Sequence, residues 1–255
     1  MPDFPIDPAI PRRALVTGGA KRLGRAMVLA LAAAGFDIVL HCRVADAAAE
    51  EVAGRVRGLG RDCRVVAADL ADEAALAGVL PGGAPLGVLV NNASTFEPGE
   101  WCDTDRASWD FHMAPNLRAP FVLTQGFARA LPETARGVVV NLLDQRVWSL
   151  TPHFMAYTVS KFGLWGLTQS LALALAPRIR VNAIGPGPAL PSARQTEAQF
   201  AAQCARVPLA RGTSPDEVGR ALLAILALPA MTGQMIALDG GQHLQWGAAP
   251  AAEAE

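Results

Sequence analysis

The sequence has 255 residues but only one tyrosine and four cysteines, and only 18% of its residues are charged. Each shortage excludes something. The cysteines, Cys42, Cys63, Cys102 and Cys204, show no CxxC spacing. They read as free thiols in a reducing compartment, not as a disulfide frame or a zinc site. His112 and His153 show no ligand spacing either, so no metal is expected. The formal net charge is −1 and no run of Lys or Arg covers a face, so nucleic acid is not an expected partner. No window reaches about 18 unbroken apolar residues, so no membrane span is expected. The opening "MPDFPIDPAIPRR" has prolines where an export signal needs an apolar run, leaving the cytoplasm as the expected location.

What is abundant is apolar, at 51% of the chain, enough for a sizeable core. Short β-rich runs alternate with Ala/Leu-rich helical stretches. "ALVT" precedes a helical run over 23–34, "FDIVLH" a helix to about residue 57, and "CRVVAAD" a short helix. "LGVLVNNA" precedes a long helical region through residue 130, and "GVVVNLL" a loop and a further helix. "IRVNAIGPG" and "QMIALDGG" complete the pattern. The strand candidates are continuously apolar, as burial on both faces of a parallel sheet requires. The expectation is an α/β fold, a single-domain doubly wound Rossmann-type parallel sheet with helices on both faces, binding ligands at the carboxyl ends of its strands. The domain is expected over 12–246, between a flexible N-terminal tail (1–11) and a flexible C-terminal tail (247–255).

"VTGGAKRLGRA" joins the first strand to the first helix. Glycines there permit a tight turn and close approach of a pyrophosphate, and the helix N-terminus adds N–H donors and positive dipole. An ordinary glycine-rich turn is the alternative, and the place directly after the first strand favours the nucleotide reading. The spacing from Thr17 and Gly18 to Leu23 and Gly24 departs from GxGxxG. It resembles the TGxxxGxG pattern of the short-chain dehydrogenase/reductase (SDR) superfamily, with Arg22 in place of the middle glycine. A guanidinium at that position adds a group able to pair with phosphate or with an acceptor-rich heterocycle.

At the end of the second strand, a cofactor ribose with a free 2′-hydroxyl calls for Asp or Glu. The chain instead has His41, Cys42 and Arg43. Arg43 attracts a 2′-phosphate and His41 can donate to it, so NADPH/NADP is the expected cofactor; a solvated surface charge is the alternative for Arg43. "YTVSK" places Tyr157 and Lys161 four apart, on one face of a helix. A phenol with a pKa near 10 is a poor acid–base at neutral pH, and a neighbouring ammonium stabilises its phenolate.

In order along the chain, Thr17, Gly18 and Gly24, then Asn91, Asn92 and Ala93, Asn116 in "NLRAPF", Tyr157 and Lys161, and Pro186 and Gly187 match the SDR signature over nearly the whole sequence. The resemblance implies that Asp69 and Leu70 lie beside the adenine, and that Asn91 and Ala93 flank the adenosine side. It further implies that Lys161 binds the nicotinamide ribose, that Asn116 holds a water linked to Lys161, and that Pro186 and Gly187 border the cofactor.

One position departs from the family. The serine expected 13 residues before the tyrosine is Asp144. A carboxylate repels a carbonyl oxygen but suits a substrate that brings N–H donors or needs protonation at nitrogen. The alternative is a turn residue facing solvent. Arg22, His41 to Arg43, Asp144 and "NNASTFEP" together resemble pteridine reductases and dihydromonapterin reductases. That resemblance implies a catalytic set of Asp144, Tyr157, Lys161 and Asn116. It also implies a pterin-like substrate held by Arg22, Ser94 (which also contacts cofactor), Phe96, Asp144 and Tyr157, with Phe96 stacking on the pterin. Core packing is the alternative for Phe96. Residues 185–214 are expected to cap the substrate. The family implies a homotetramer, with His243 and Trp246 as candidates to line a neighbour's pocket or to form a surface tail. The competing functions are an SDR reductase of a ketone or 3-oxoacyl substrate, with Asp144 incidental, and a non-catalytic NADP-binding redox sensor.

Overall fold

The computed structural model describes residues 5–80, 82–192 and 194–245. Seven strands form one sheet in the order β3-β2-β1-β4-β5-β6-β7, with every neighbouring pair parallel. They are β1 (Arg13–Val16), β2 (Asp37–Cys42), β3 (Cys63–Ala67), β4 (Val88–Asn91), β5 (Gly137–Leu142), β6 (Ile179–Pro186) and β7 (Met235–Leu238). Between them run α1 (Arg22–Ala33), α2 (Ala47–Gly58), the short α3 (Leu76–Val79), α4 (Arg106–Met113), α5 (Ala119–Ala130), α6 (Met155–Leu175), α7 (Glu197–Arg206) and α8 (Pro215–Ala227). The doubly wound expectation holds.

The unbroken apolar strands follow from two cores, one on each face. Val16 and Leu40 point into a core with Met27 of α1, Val52 of α2 and Leu222 of α8. Their neighbours Leu15 and Val39 point the other way, into a core with Leu123 and Phe127 of α5 and Ala172 of α6. Successive strand side chains alternate faces, so a sheet covered on both sides needs every position apolar. Helix starts are set locally: Asp46 caps α2, and Ser214 with Glu217 forms a capping box ahead of Pro215 on α8.

Three elements differ from the sequence reading. The long helical region before residue 130 is broken: α4 and α5 are joined by a π-helical turn, Ala114–Arg118, that contains Asn116. The cap is not loop alone, since it includes α7, with a Thr196–Gln199 capping box. Residues 5–11 are not a loose tail. Ile6 and Ile10 are buried in the first core, and the Ala9 carbonyl accepts from the Arg136 amide. The prolines prevent a regular element there, but two isoleucines still bury. Residues 1–4 and the expected tail at 247–255, with Trp246, lie outside the described residues.

Candidate active site

The strand order reverses direction on the two sides of β1, which pairs with β2 and with β4. A crevice opens there beyond the strand ends. It is a cleft of about 720 Å³, within the range of small-molecule and cofactor sites.

One half of the cleft is built on the glycine turn. Gly18 has φ +62°, a conformation open to glycine without steric cost. A Cβ on Gly24 would lie 2.0 Å from the Gly18 carbonyl oxygen and 2.7 Å from the Asn92 amide nitrogen, so only glycine fits. Thr17 is buried and does not line the cleft; its hydroxyl donates to the Val90 carbonyl and accepts from the Asn92 and Ala93 amides. Asn92 Nδ2 donates to the Thr17 and Gly18 carbonyls. Arg22 takes the left-handed conformation where the family has glycine, at φ +52°. Its guanidinium donates to the carbonyls of Pro191 and Leu190 in the cap.

The expected cofactor residues divide into two groups. Gly18, Arg22, Leu23, Gly24, Arg43, Asp69, Leu70, Ala93, Ser94, Pro186 and Gly187 line the cleft with Lys161. Arg43 is exposed at the end of β2. Asp69 accepts from the Ala71 amide in a tight turn. Asn91 does not reach the cleft: it is buried within β4, and its Nδ2 donates to Asn141 Oδ1, whose amide in turn donates to Thr168 of α6. His41 borders the cleft, but both ring nitrogens are spent. Nδ1 accepts from the Gly18 amide at 3.3 Å, and Nε2 lies 3.0 Å from the Ala68 carbonyl, which fixes the proton on Nε2. Burial holds the imidazole below its usual pKa, against the Ala68 bond and the Asp69 charge. His41 therefore braces the glycine turn and has no donor left to offer a phosphate.

The other half holds the acid–base groups. Asp144 follows β5, and its Oδ1 accepts from the Arg146 amide, capping the 3₁₀ turn Gln145–Val147. The Tyr157 hydroxyl donates to Asp144 Oδ2 at 2.9 Å. The carboxylate thus faces the phenol inside the cleft and not solvent. Lys161 is 3% exposed and donates to the Leu142 carbonyl at 2.8 Å. Burial pushes its pKa from 10.5 down to about 8, with the Asp144 charge opposing. Its Nζ lies 5.8 Å from the Tyr157 ring centroid.

Asn116 is buried and off the cleft wall. Its Oδ1 accepts from the Thr95 amide, and its Nδ2 donates to the Thr95 carbonyl and to Ser160 Oγ. The side chain clamps the 94–97 segment to α6. Phe96 lines the cleft, edge-on to Tyr157 with centroids 4.6 Å apart. Ser94 is exposed. His153 pairs with Glu100 at 2.8 Å, and His112 accepts from the Glu97 amide. His243 bonds Asp239 and packs its ring 5.1 Å from Trp148.

Sequence reasoning missed Gln145, Arg146 and Ser192, which also line the cleft. Gln145 Oε1 and Ser192 Oγ are buried and without a hydrogen-bond partner among the described residues, as befits groups reserved for a ligand. Adjacency to Asp144 in "DQR" was the available signal for the first two. Among the described residues, no group of three or more His, Cys, Asp or Glu is placed to hold a metal ion, and no helix is long and apolar enough to cross a membrane.

Comparison with known proteins agrees with this geometry. The family model described as short chain dehydrogenase matches residues 12–201. The structure resembles FolM alternative dihydrofolate reductase 1 from Brucella canis, complexed with NADP, with a TM-score of 0.88 and 43% identity over 96% of this chain and 100% of that one. The Brucella suis protein of the same name, also in complex with NADP, gives 0.87 and 45% over 94% and 98%. Among curated proteins, L-xylulose reductase of Bos taurus is 33% identical over 90% of this chain and 96% of its own length.

Proposed function

The chain belongs to the short chain dehydrogenase family, and from that premise we propose that it is an NADPH-dependent reductase of a pterin C=N bond. The reading takes a dihydropterin to the tetrahydropterin and includes dihydrofolate as a candidate substrate. The observation that carries it is the 2.9 Å hydrogen bond from the lone tyrosine to Asp144, where the family has a serine, beside the ring of Phe96. The two Brucella structures support the same reading, since each is named as a dihydrofolate reductase and each is complexed with NADP.

The residues present fit the cofactor. Gly18 and Gly24 make the tight turn that lines the cleft, the N-terminus of α1 adds its dipole, and Arg43 supplies a cation at the ribose end. Bound NADPH supplies hydride. The protein's share is the proton and the placement. Tyr157 and Asp144 hold a proton between two oxygens at the cleft wall, positioned for a ring nitrogen. Lys161, charged below about pH 8, offsets the negative charge left on that pair. Asn116 acts by holding the 94–97 segment, and so Ser94 and Phe96, against α6. Phe96 offers a stacking surface for a flat heterocycle. A homotetramer in the cytoplasm belongs to the same reading; analytical ultracentrifugation checks the assembly.

The likeness to L-xylulose reductase favours a second reading, carbonyl reduction. One panel separates them: NADPH oxidation with dihydropterins, dihydrofolate, ketones and 3-oxoacyl thioesters. Turnover confined to the ketones or thioesters would overturn the pterin reading. Tight NADPH binding with no turnover of any would point to the sensor.

A further inference from the structure

Three non-glycine residues among those described take the left-handed backbone, Arg22, Phe154 and Ala210; Arg22 lines the cleft and Phe154 stacks on Phe96, which does. Such conformations cost free energy for a bulky side chain and persist where the surrounding structure enforces them. Phe154 is the extreme case. It stands immediately before α6, at φ 55° and ψ 48°, with no side-chain cap to reward the helix start. Glycine or asparagine would take this backbone with less strain. The aromatic ring itself must account for the choice.

That ring has one conspicuous neighbour. Phe154 and Phe96 stack with centroids 4.6 Å apart and planes 11° from parallel. Phe96 lines the cleft, whereas Phe154 is 9% exposed and does not, so Phe154 backs Phe96 from the protein side. The Arg146 guanidinium lies 4.8 Å from the Phe154 centroid and 5.5 Å from that of Phe96, bracing the pair. The junction is fastened around them. The Met155 amide donates to the Gly99 carbonyl, His153 pairs with Glu100, and the Phe154 carbonyl accepts the Thr158 amide in the first turn of α6. Residue 154 is therefore where the segment carrying Phe96 meets the helix carrying Tyr157 and Lys161.

We propose that Phe154 is a positioning residue for the substrate: it fixes the plane of Phe96, and thereby the angle at which a flat heteroaromatic ring meets Tyr157. The inference rests on the pterin reading above. It gives a reason for the left-handed backbone, since a relaxed residue 154 would carry its ring away from Phe96. It also separates substrate from cofactor, because the ring partners of Phe154 are Phe96 and Arg146, neither of which belongs to the glycine turn.

The test is steady-state kinetics on Phe154→Leu and Phe154→Tyr, with a 7,8-dihydropterin and with NADPH as the varied substrate. Loss of an aromatic pair supports a rise of about fivefold in the dihydropterin KM for the Leu variant. The NADPH KM should stay within about twofold, and Tyr should restore the wild-type KM because it keeps the ring. Thermal melts establish that the variants are folded; if Leu is not, Met carries the same comparison. A wild-type dihydropterin KM in the folded Leu or Met variant, or equal changes for both substrates, overturns the inference while leaving the pterin reading standing. Absence of dihydropterin turnover by the wild-type enzyme overturns that reading, and the inference with it.

Discussion

Lys161→Met should make this protein more stable at pH 7 while abolishing turnover. The lysine is 3% exposed, and burial moves its pKa from 10.5 to about 8. The folded state thus disfavours the charged form. Below about pH 8 the ammonium is present in both states and the whole penalty applies; it shrinks as pH rises and is gone above 10.5, where both states are neutral. The displacement amounts to about 3 kcal/mol against the folded state at neutral pH. Methionine removes that term but leaves the Leu142 carbonyl without its donor, a loss of about 1 kcal/mol. The net gain is about 2 kcal/mol, or about 4–8 °C in Tm for a domain of this size. Urea unfolding of both proteins, without cofactor, at pH 7 and pH 10 measures it. The variant should lead at pH 7, and the lead should narrow markedly by pH 10. A variant no more stable at pH 7, or a difference that ignores pH, would refute the claim that Lys161 is a buried cation held at the expense of stability.

Two other substitutions probe the chemistry. Asp144→Ser keeps an oxygen able to cap the 3₁₀ turn but removes the carboxylate from Tyr157. Dihydropterin kcat/KM should fall by about a hundredfold, the scale of a lost acid–base partner, with the NADPH Kd unchanged by fluorescence titration. Equal losses in both would sink the assigned role. Arg43→Ala should raise the NADPH KM about tenfold, the scale of one charge-assisted contact, and leave NADH unmoved; parallel losses would show that Arg43 does not read the 2′-phosphate.

The parts of this site that repeat along one stretch of chain were legible in the sequence. The glycine turn, the Tyr157–Lys161 spacing and Asp144 in the serine's place are local patterns, and each side chain lies in the cleft. The continuous apolar strands correctly implied two covered sheet faces. What could not be read depends on partners distant in sequence. The position of His41 at a strand end suggests a phosphate donor, but its ring is consumed by Gly18 and Ala68, brought to it by strand pairing. Asn91 sits in a cofactor motif, yet turns inward because Asn141 on the neighbouring strand offers its amide a partner. Phe154 gave no signal, since a left-handed phenylalanine is set by the packing around it and not by propensity. Ile6 and Ile10 were masked by the prolines around them, which conceal periodicity without preventing burial.

Asn92 joins the two halves of the cleft. Its side chain holds the Thr17 and Gly18 carbonyls, its backbone and that of Ala93 hang on the Thr17 hydroxyl, and four residues later the same segment presents Phe96. On the proposed reading, the cradle for the coenzyme's phosphates and the shelf for the substrate's ring are therefore a single casting. On that reading, a substitution in either one is expected to shift the other, and coenzyme and substrate preference are coupled through Asn92.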